Sequence, residues 1–392
     1  MVLYSHDSQG LGHTRRNLAI AHALSAGIPG FANRRVTGLL VTGESSATRF
    51  DVPPGWDWVV LPGIRKGSDG YGPRHLSIGM DALIQLRTEL IDTVLVRFRP
   101  HLVVVDRHAF GVDGELRQAL ANLRLKRPAC KVVLGLREVL DSPYVIKQEW
   151  IGIHGMGPIR SYFDQIWVYG DPAIHDPLRT GEIPEILGSL VRYTGYLAAG
   201  RVSHRRSTLL DKPYVLTMAG GGSDGLALVL AAAGAEVPEG YEHLVITGPQ
   251  MPMEHRRLVQ CAAGPGTSVV VQTRDALAEI EGASAIVSMG GYNSIGEIMS
   301  TSTPALIVPR TEPRREQLIR ASALARRGIV DMCHPDDLSP ELVADWFRGA
   351  AGTRVDRSGI DLTGITALAL LAADLLATEA STPERRRAHA AV

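Results

Sequence analysis

Two adjacent glycines, Gly290 and Gly291, stand where a short apolar run at residues 285–288 ends and a helical pattern begins. The amides and the positive dipole end of such a helix favour an anion, so this turn is suited to cradle a phosphate. Asn293 and Glu297 are four residues apart and therefore project from one helix face. An ionised Glu can accept two O–H donors, as the hydroxyl pair of a ribose provides. The stretch predicts a nucleotide site, although the same glycines also suit a tight turn that binds nothing.

A histidine follows a second glycine-containing turn near the N-terminus. Gly10 and Gly12 alternate in the sequence Gly10-Leu11-Gly12-His13, between a buried strand predicted at residues 2–5 and a helix predicted over 14–24. Glycines let the backbone approach a ligand closely. A helix N-terminus disfavours a protonated imidazole, which leaves the neutral form that acts as a base. His13 is therefore a candidate general base, and a capping or solvent-facing histidine is the alternative.

Polar side chains also follow two predicted strands of the N-terminal half. Strands predicted at residues 36–41, 58–61, 102–105 and 131–134 alternate with helical patterns at about 76–98 and 114–125, an order typical of a doubly wound parallel sheet. Ligands bind such sheets at the carboxyl ends of the strands. Asp106 and His108 follow one strand and Arg137 follows the next. We interpret Asp106 as an orienting acid, His108 as an alternative base and Arg137 as an acceptor-side phosphate contact. The alternative is that these groups are merely solvated at the rim of the sheet.

The second half repeats this order. Strands are predicted at residues 214–218, 243–247, 268–271, 285–288 and 305–308, with helices over 226–233 and from about residues 254, 275, 293 and 313. The first of these strands runs into Gly220-Gly221-Gly222-Ser223, a further turn usable for a diphosphate. It lacks the Lys-Ser/Thr ending of an ATPase P-loop.

Polar residues collect after two other strands of this half. Arginine suits phosphate oxygens, and a Glu-Gln pair can satisfy several sugar hydroxyls. For the polar residues between positions 310 and 317, a helix-surface charge cluster is the alternative. We expect this segment to lead into a helix with Pro313 in its first turn. The residues are Thr273 and Arg274, which could border a planar base, and Arg310, Arg314, Glu316 and Gln317.

Length, charge and cysteine content restrict the class of protein. A chain of 392 residues exceeds one ordinary core, and its zero formal charge argues against nucleic acid as the main partner. Three distant cysteines without a C-x-x-C pair, and no signal peptide or membrane span, predict a cytoplasmic protein without a cysteine metal site. The patterns predict an acceptor domain at residues 1–198, a linker at 199–211, a nucleotide-sugar domain at 212–378 and a polar tail at 379–392. The last helix can pack back on the first domain. The loop at 63–73 is long and flexible enough to be a lid or an acceptor loop.

Nearly the whole chain resembles the two-domain nucleotide-sugar glycosyltransferases of the GT-B fold. Within them it is similar to the lineage of the bacterial muramyl-lipid N-acetylglucosaminyltransferase, in the group known only as predicted glycosyltransferases. Four stretches carry the resemblance, and the last is the most specific. They are Tyr4-Ser5-His6-Asp7 with Gly10-Leu11-Gly12-His13, Tyr169-Gly170-Asp171-Pro172, Tyr193-Thr194-Gly195-Tyr196, and Gly290-Gly291-Tyr292-Asn293-Ser294 through Arg314-Arg315-Glu316-Gln317.

The resemblance implies an α/β fold of two Rossmann-like doubly wound domains that face a cleft. It implies an inverting transferase that moves a sugar from a nucleoside diphosphate, with a UDP-sugar favoured and dTDP- or GDP-sugars as alternatives, to a small-molecule hydroxyl or amine. His13 becomes the candidate catalytic residue. On the donor side, the family's diphosphate turn matches Gly290, Gly291, Tyr292, Asn293 and Ser294. Its ribose contact matches Glu297, and its contact to the donor sugar matches Glu316 and Gln317.

Two departures limit what is carried over. The murein enzyme has more glycine in its front loop and a less basic segment at positions 309–315, so its lipid acceptor is not expected here. The absence of an Asp-x-Asp triplet, together with the arginines, predicts catalysis without a metal or another cofactor. Two rival functions share this fold: a nucleotide-sugar 2-epimerase, and a nucleotide-sugar-binding protein without catalysis. The donor base, the acceptor and the oligomeric state are left open.

Overall fold

Two parallel β-sheets organise the molecule. A computed structural model describes residues 1–6, 12–32, 35–67, 70–152, 156–200 and 209–377. The first sheet has seven strands and the second has six, and every pairing within them is parallel. We call the parts built on them the N-terminal and C-terminal domains. The predicted fold class of two Rossmann-like domains is confirmed.

The N-terminal domain has the strand order β3-β2-β1-β6-β7-β8-β9, so the chain reverses direction of winding beside β1. Its central strands are apolar along their whole length because helices cover both faces. Its strands are β1 (Val2–Tyr4), β2 (Gly38–Thr42), β3 (Trp56–Val60), β4 (Ile64–Gly67), β5 (Gly70–Pro73), β6 (Leu102–Asp106), β7 (Lys131–Arg137), β8 (Gln165–Tyr169) and β9 (Val191–Tyr193). Its helices are α1 (Gly12–Ala32), α2 (Met80–Phe98), α3 (Arg117–Lys126), α4 (Pro143–Gly152) and α5 (Met156–Tyr162).

The C-terminal domain has the strand order β12-β11-β10-β13-β14-β15. The winding reverses beside β10, which places the turns after β10 and β13 side by side. Its strands are β10 (Tyr214–Met218), β11 (Glu242–Ile246), β12 (Thr267–Val270), β13 (Ile286–Ser288), β14 (Ala305–Ile307) and β15 (Asp331–Met332). The helices are α6 (Leu226–Ala233), α7 (Met253–Ala262), α8 (Ala276–Gly282), α9 (Tyr292–Met299), α10 (Glu316–Ala325), α11 (Pro340–Ala350) and α12 (Gly364–Ala377).

Two predictions about local structure were wrong. The segment predicted as a lid loop at 63–73 contains the antiparallel hairpin β4–β5, and Ile64 in it is fully buried. Pro313 is not in the first turn of a helix, since α10 begins only at Glu316. Instead, the backbone amide of Arg315 donates to Asp141 of the other domain at 3.1 Å, which ties this segment across the cleft before the helix starts.

The last helix returns to the N-terminal domain. Helix α12 packs along α1, and the segment before it pairs with the end of the first domain through Tyr196 N to Asp361 O at 2.8 Å. One hydrophobic cluster also joins the domains, because it contains Leu3 and Trp167 together with Leu216 and Ile295. Within the described residues, no helix is both long and apolar enough to cross a membrane. The predicted polar tail, and residues 201–208 of the predicted linker, lie outside the described residues.

Candidate active site

A histidine–aspartate pair lies where α1 begins and β6 ends. His13 Nδ1 is 2.5 Å from Asp106 Oδ2. Arg16, one turn further along α1, holds the same carboxylate through Nε to Oδ1 at 3.0 Å and Nη2 to Oδ2 at 2.5 Å. Arg16 Nη2 also lies 2.9 Å from His13 Nδ1, so the carboxylate and the guanidinium meet at the same ring nitrogen. An ionised carboxylate only accepts hydrogen bonds, so the Nδ1–H group of the imidazole donates to Asp106. In the neutral form of the ring the lone pair is then on Nε2, which is the nitrogen that can take a proton.

Charge around Asp106 fixes its ionisation. Burial by itself raises the pKa of this carboxyl, but the Arg16 guanidinium and His13 outweigh burial and hold the pKa well below the usual range. The side chains of Asp106 and Arg16 are 0% and 3% exposed, whereas that of His13 is 19% exposed. The aspartate is therefore a fixed anion under a histidine that reaches the cleft.

Two more histidines surround this pair. The ring of His6 lies 4.8 Å from that of His13 and 4.6 Å from that of His108. Burial lowers the pKa of both His6 and His108 well below the usual range, and the Arg107 cation lowers it further. Both rings are thus neutral at pH 7. In the described parts of the chain, no group of three histidine, cysteine or acidic side chains is arranged to hold a metal ion.

The two glycine turns of the C-terminal domain face each other. A Cβ on Gly220 would lie 3.9 Å from Ser294 Oγ, in the first turn of α9. Gly222 has a φ of +91°, and a Cβ there would come within 2.3 Å of the Thr247 carbonyl oxygen. Only glycine fits this position. The turn after β10 therefore packs closely against the end of β11 and lies next to the N-terminus of α9, a place that suits a diphosphate.

Gly290 does not offer its amide to a ligand, contrary to the simplest form of the prediction. Its N–H donates to Gln317 Oε1 at 3.1 Å, and the same oxygen accepts from the Arg310 amide at 3.1 Å. Gln317 thus braces the glycine turn from the start of α10. The amides from Gly291 onward, at the first turn of α9, are the ones that lack an intrahelical acceptor.

Asn293 and Glu297 project from one face of α9, as their spacing predicts, and that face meets α1. Asn293 Nδ2 donates to the Gly12 carbonyl at 2.9 Å, and Arg15 Nη2 donates to Glu297 Oε1 at 2.6 Å. The Glu297 side chain is 5% exposed and that of Arg15 is 40% exposed. In this state the expected ribose contact is bound by an arginine of the opposite domain.

The arginines before α10 are also paired. Arg310 bonds Asp224 at 2.7 Å and Glu316 at 2.5 Å. Arg314 reaches across the cleft to Glu149 at 2.7 Å and to Asp141 at 3.1 Å. The basic segment therefore links the donor-side turn to the N-terminal domain.

Two cavities meet at Arg107 and His108. The larger, of about 730 Å³, lies between the domains. The smaller, of about 440 Å³, lies in the N-terminal domain beside β6 and α4. The interdomain cavity is lined by His13, Glu44, Arg74, Arg107, His108, Arg137, Leu140, Ser223, Gln250, Arg310, Arg314 and Glu316. It thus brings the histidine pair, Arg137 and the donor-side arginines to one space.

Other predicted residues are not at this cavity. Tyr292 is buried, with its ring stacked on Tyr196 at 6.5 Å. Thr273 donates to Glu279 at 3.1 Å, and Arg274 is exposed beyond β12; neither lines the cavity. Gly10 lies outside the described residues.

Several residues were missed by the sequence reasoning. Arg16 was not recognised as a partner of Asp106, although its i, i+3 spacing from His13 places both side chains on one face of α1. Glu138 was also missed, and it binds Arg320 at 2.6 Å across the domain boundary. No local signal in the sequence marks such long-range pairs.

Comparisons with known proteins agree with this architecture. No protein-family model matches the chain. It is 25% identical over 305 residues to the UDP-N-acetylglucosamine–N-acetylmuramyl-(pentapeptide) pyrophosphoryl-undecaprenol N-acetylglucosamine transferase of Corynebacterium efficiens, covering 72% of this chain and 82% of that protein.

Solved glycosyltransferase structures share the fold over almost the whole chain. The calicheamicin glycosyltransferase superposes with a TM-score of 0.57 at 16% identity, covering 96% of this chain and 97% of that one. Glycosyltransferase VinC in complex with dTDP superposes with a TM-score of 0.56 at 14% identity, covering 97% of this chain and 99% of that one. MurG of Acinetobacter baumannii superposes with a TM-score of 0.51 at 15% identity, covering 95% of this chain and 94% of that one. The chain is a glycosyltransferase of the GT-B fold, related to the muramyl-lipid N-acetylglucosaminyltransferase.

Proposed function

We propose that the protein transfers a sugar from a nucleoside-diphosphate donor to a hydroxyl or amine of a small molecule, with inversion and without a metal. The observation that carries the proposal is the His13–Asp106 pair, at 2.5 Å, on the wall of the interdomain cavity. A base in that place can activate an acceptor against a donor held by the opposite domain. One direct displacement at the anomeric carbon inverts its configuration.

His13 acts as the general base in this proposal. Nε2 takes the proton of the acceptor as its oxygen or nitrogen attacks, and the resulting imidazolium is stabilised by the ionised Asp106 on Nδ1. Arg16 keeps that carboxylate charged and in place. His6 and His108 remain neutral and add no positive charge that would oppose protonation of His13.

The donor binds the C-terminal domain. The first-turn amides of α9 from Gly291 onward and the turn at Gly220–Gly222 hold the diphosphate, while Arg310 neutralises charge on the leaving group. These groups replace the metal ion that such a leaving group otherwise requires. The ribose hydroxyls bind Glu297 once Arg15 has released it. The dTDP bound to the similar VinC structure supports a nucleoside diphosphate here.

The acceptor binds in the smaller cavity, which joins the donor cavity beside the histidine pair. Its wall carries the guanidinium of Arg117 at 4.1 Å from the centre of the Phe110 ring, with Trp150 and Glu149 nearby. A planar guanidinium and aromatic edges favour an acceptor that contains a ring and oxygen acceptors. A volume of about 440 Å³ fits a small molecule.

The donor is identified by a thermal-shift panel of UDP, dTDP and GDP and their sugars, because a bound ligand raises the melting temperature. The acceptor search then uses the donor that binds. In product analysis we expect a glycoside of inverted anomeric configuration, formed in the presence of EDTA. Isomerised nucleotide sugar formed without any acceptor would establish the epimerase instead.

The catalytic assignment is tested with His13→Ala and His108→Ala. His13→Ala should lower the transfer rate by about 10²–10⁴-fold, which is the usual worth of a general base, and leave the Kd of the nucleoside diphosphate within a factor of two or so. His108→Ala serves as the matched control from the same histidine cluster. If His13→Ala retains most of its activity and His108→Ala does not, His108 is the base.

A further inference from the structure

Arginine side chains dominate the interdomain cavity. Five arginines line it, against two carboxylates, Glu44 and Glu316. Four of the five are bonded to a carboxylate, which makes them parts of ion pairs in the ligand-free protein. The pairs are Arg74–Glu44 at 2.6 Å, Arg107–Glu149 at 2.6 Å, Arg310–Glu316 at 2.5 Å and Arg314–Glu149 at 2.7 Å.

Arg137, the fifth, differs from the others. It is the last residue of β7 and reaches the cavity at the carboxyl end of the sheet. Across the described residues its side chain makes no hydrogen bond or ion pair, and its buried Nε has no partner. Of the neighbouring carboxylates, Glu138 binds Arg320, and Glu316 binds Arg310 through Oε1 while its Oε2 bonds neither Arg137 nor another group of the described residues.

The charges around Arg137 are mostly of its own sign. Arg16, Arg320 and Arg107 lie near enough to oppose its charge, and Glu316 favours it. Burial, followed by Arg16 and Arg320, lowers the pKa of the Arg137 guanidinium to about 9. Holding a partly buried guanidinium among other cations costs stability, so the position is explained best by an anion that arrives with a ligand.

The location of Arg137 indicates which ligand carries the anion. It lies near Arg16, which holds the His13–Asp106 pair. It also lies near Arg320, whose Nη1 donates to the Gly290 carbonyl at 2.9 Å and so supports the glycine turn. Arg137 lines the interdomain cavity together with His13 and Arg310, so it shares one space with the proposed base and with a donor-side arginine.

We propose that Arg137 binds an oxyanion of the donor from the N-terminal side of the cleft, which assigns it to the donor and not to the acceptor. This inference rests on the proposed function. Two sources provide the same chemistry: the leaving diphosphate, or a carboxylate on the transferred sugar. In either case the N-terminal domain supplies a charge contact to a ligand held mainly by the C-terminal domain.

Arg137→Met tests the inference in two ways. The variant keeps the length and apolar stem of the side chain but removes its charge. Without ligand it should melt higher than wild type, by about 2 °C, because an unfavourable charge is gone. With ligand it should bind the oxyanion more weakly, by roughly ten- to hundredfold in Kd. A residue with a purely structural role would lower the melting temperature and leave the Kd unchanged.

Arg320→Met is the matched control. Arg320 is also a buried arginine beside the same cavity, but it is bonded to Glu138 at 2.6 Å and 3.1 Å. Its removal leaves Glu138 buried without its partner, so Arg320→Met should melt several degrees below wild type. Opposite signs of the two shifts in melting temperature are the expected result.

Calorimetric titration with inorganic pyrophosphate, UDP, UDP-glucose and UDP-glucuronate identifies the source. If Arg137→Met binds pyrophosphate and UDP more weakly than wild type, the oxyanion that Arg137 binds belongs to the diphosphate. If UDP binding is unchanged and only the affinity for UDP-glucuronate falls, the oxyanion is the carboxylate of the sugar. Wild-type affinities for all four probes in Arg137→Met, or a lower melting temperature without ligand, would overturn the inference. If the wild-type protein binds no nucleoside diphosphate at all, the proposed function fails instead.

Discussion

Helix α1 begins with two consecutive arginines that bind buried carboxylates in different domains. Arg16 binds Asp106 of its own domain through two hydrogen bonds, and both side chains are almost completely buried. Arg15 binds Glu297 of the other domain through one hydrogen bond at 2.6 Å, and its side chain is 40% exposed. The same helix turn therefore carries one closed ion pair within a domain and one open ion pair between domains.

This difference has a functional meaning. A buried, doubly bonded pair cannot separate without leaving two charges in a poor environment, so Arg16 and Asp106 act as a fixed support for His13. A half-exposed arginine can return to water at little cost. Glu297 is thus available to a ribose when the donor displaces Arg15, and its pairing with Arg15 compensates the charge of a buried carboxylate.

The largest effect should come from breaking the closed pair. Asp106→Ala leaves Arg16 buried without its partner, and we expect a loss of about 3–5 kcal/mol in the free energy of unfolding, together with loss of transfer. Glu297→Ala leaves the exposed Arg15 without this carboxylate, and we expect a loss of about 1 kcal/mol or less. Urea unfolding of the two variants under one set of conditions measures the contrast. Equal losses would mean that the two ion pairs do not differ as described.

Breaking the open ion pair at Arg15 should have a smaller effect, and this effect should be a gain in the affinity for the nucleotide. Arg15→Ala removes the group that competes with the ribose for Glu297, so the affinity for the nucleoside diphosphate should rise by a few-fold. Glu297→Ala should lower that affinity, because the hydroxyl contacts are lost. Titration calorimetry of both variants with the same nucleotide checks the signs. Weaker binding by Arg15→Ala would show that Arg15 itself contacts the ligand.

Much of this architecture could be predicted from the sequence, and the limits were physical. Strand 214–218 and helix 226–233 were predicted to the residue, because continuous apolar runs ended at glycines. Helices α4 and α5 and the hairpin β4–β5 were missed because their hydrophobic periods are short and interrupted.

The residues of the candidate site could be predicted from the sequence, but the contacts between the two domains could not. His13, Asp106 and His108 were found from their positions at a helix start and after a strand, and the structure brings them together. The role of Gln317 as a brace of Gly290, and the binding of Glu297 by Arg15, depend on how the two domains meet. No spacing along the chain encodes such contacts, so the sequence indicated which groups line the cleft but not which are already paired.

A last prediction concerns pH and separates the histidines of the cleft from a histidine of the core. Burial lowers the pKa of His6 and His108 in the cleft, and it lowers the pKa of His243 in strand β11 to about 3. These rings stay neutral in the folded protein, while the unfolded chain binds protons at them below about pH 6.5. Acidification therefore favours unfolding, and stability should fall as the pH drops from 7 towards 5, by at most about 1.4 kcal/mol per histidine per pH unit.

The three histidines differ in what faces them. His6 and His108 are near Arg107, which opposes protonation, and His6 is also near Asp106, which favours it. Burial alone lowers the pKa of His243, and its Nε2 forms a hydrogen bond with Thr217 Oγ1 at 2.9 Å. Nucleotide binding should change the pH slope of the melting temperature through the cleft histidines and not through His243. His243→Gln should reduce the slope equally with and without nucleoside diphosphate, and a reduction confined to one of these states would contradict the separation.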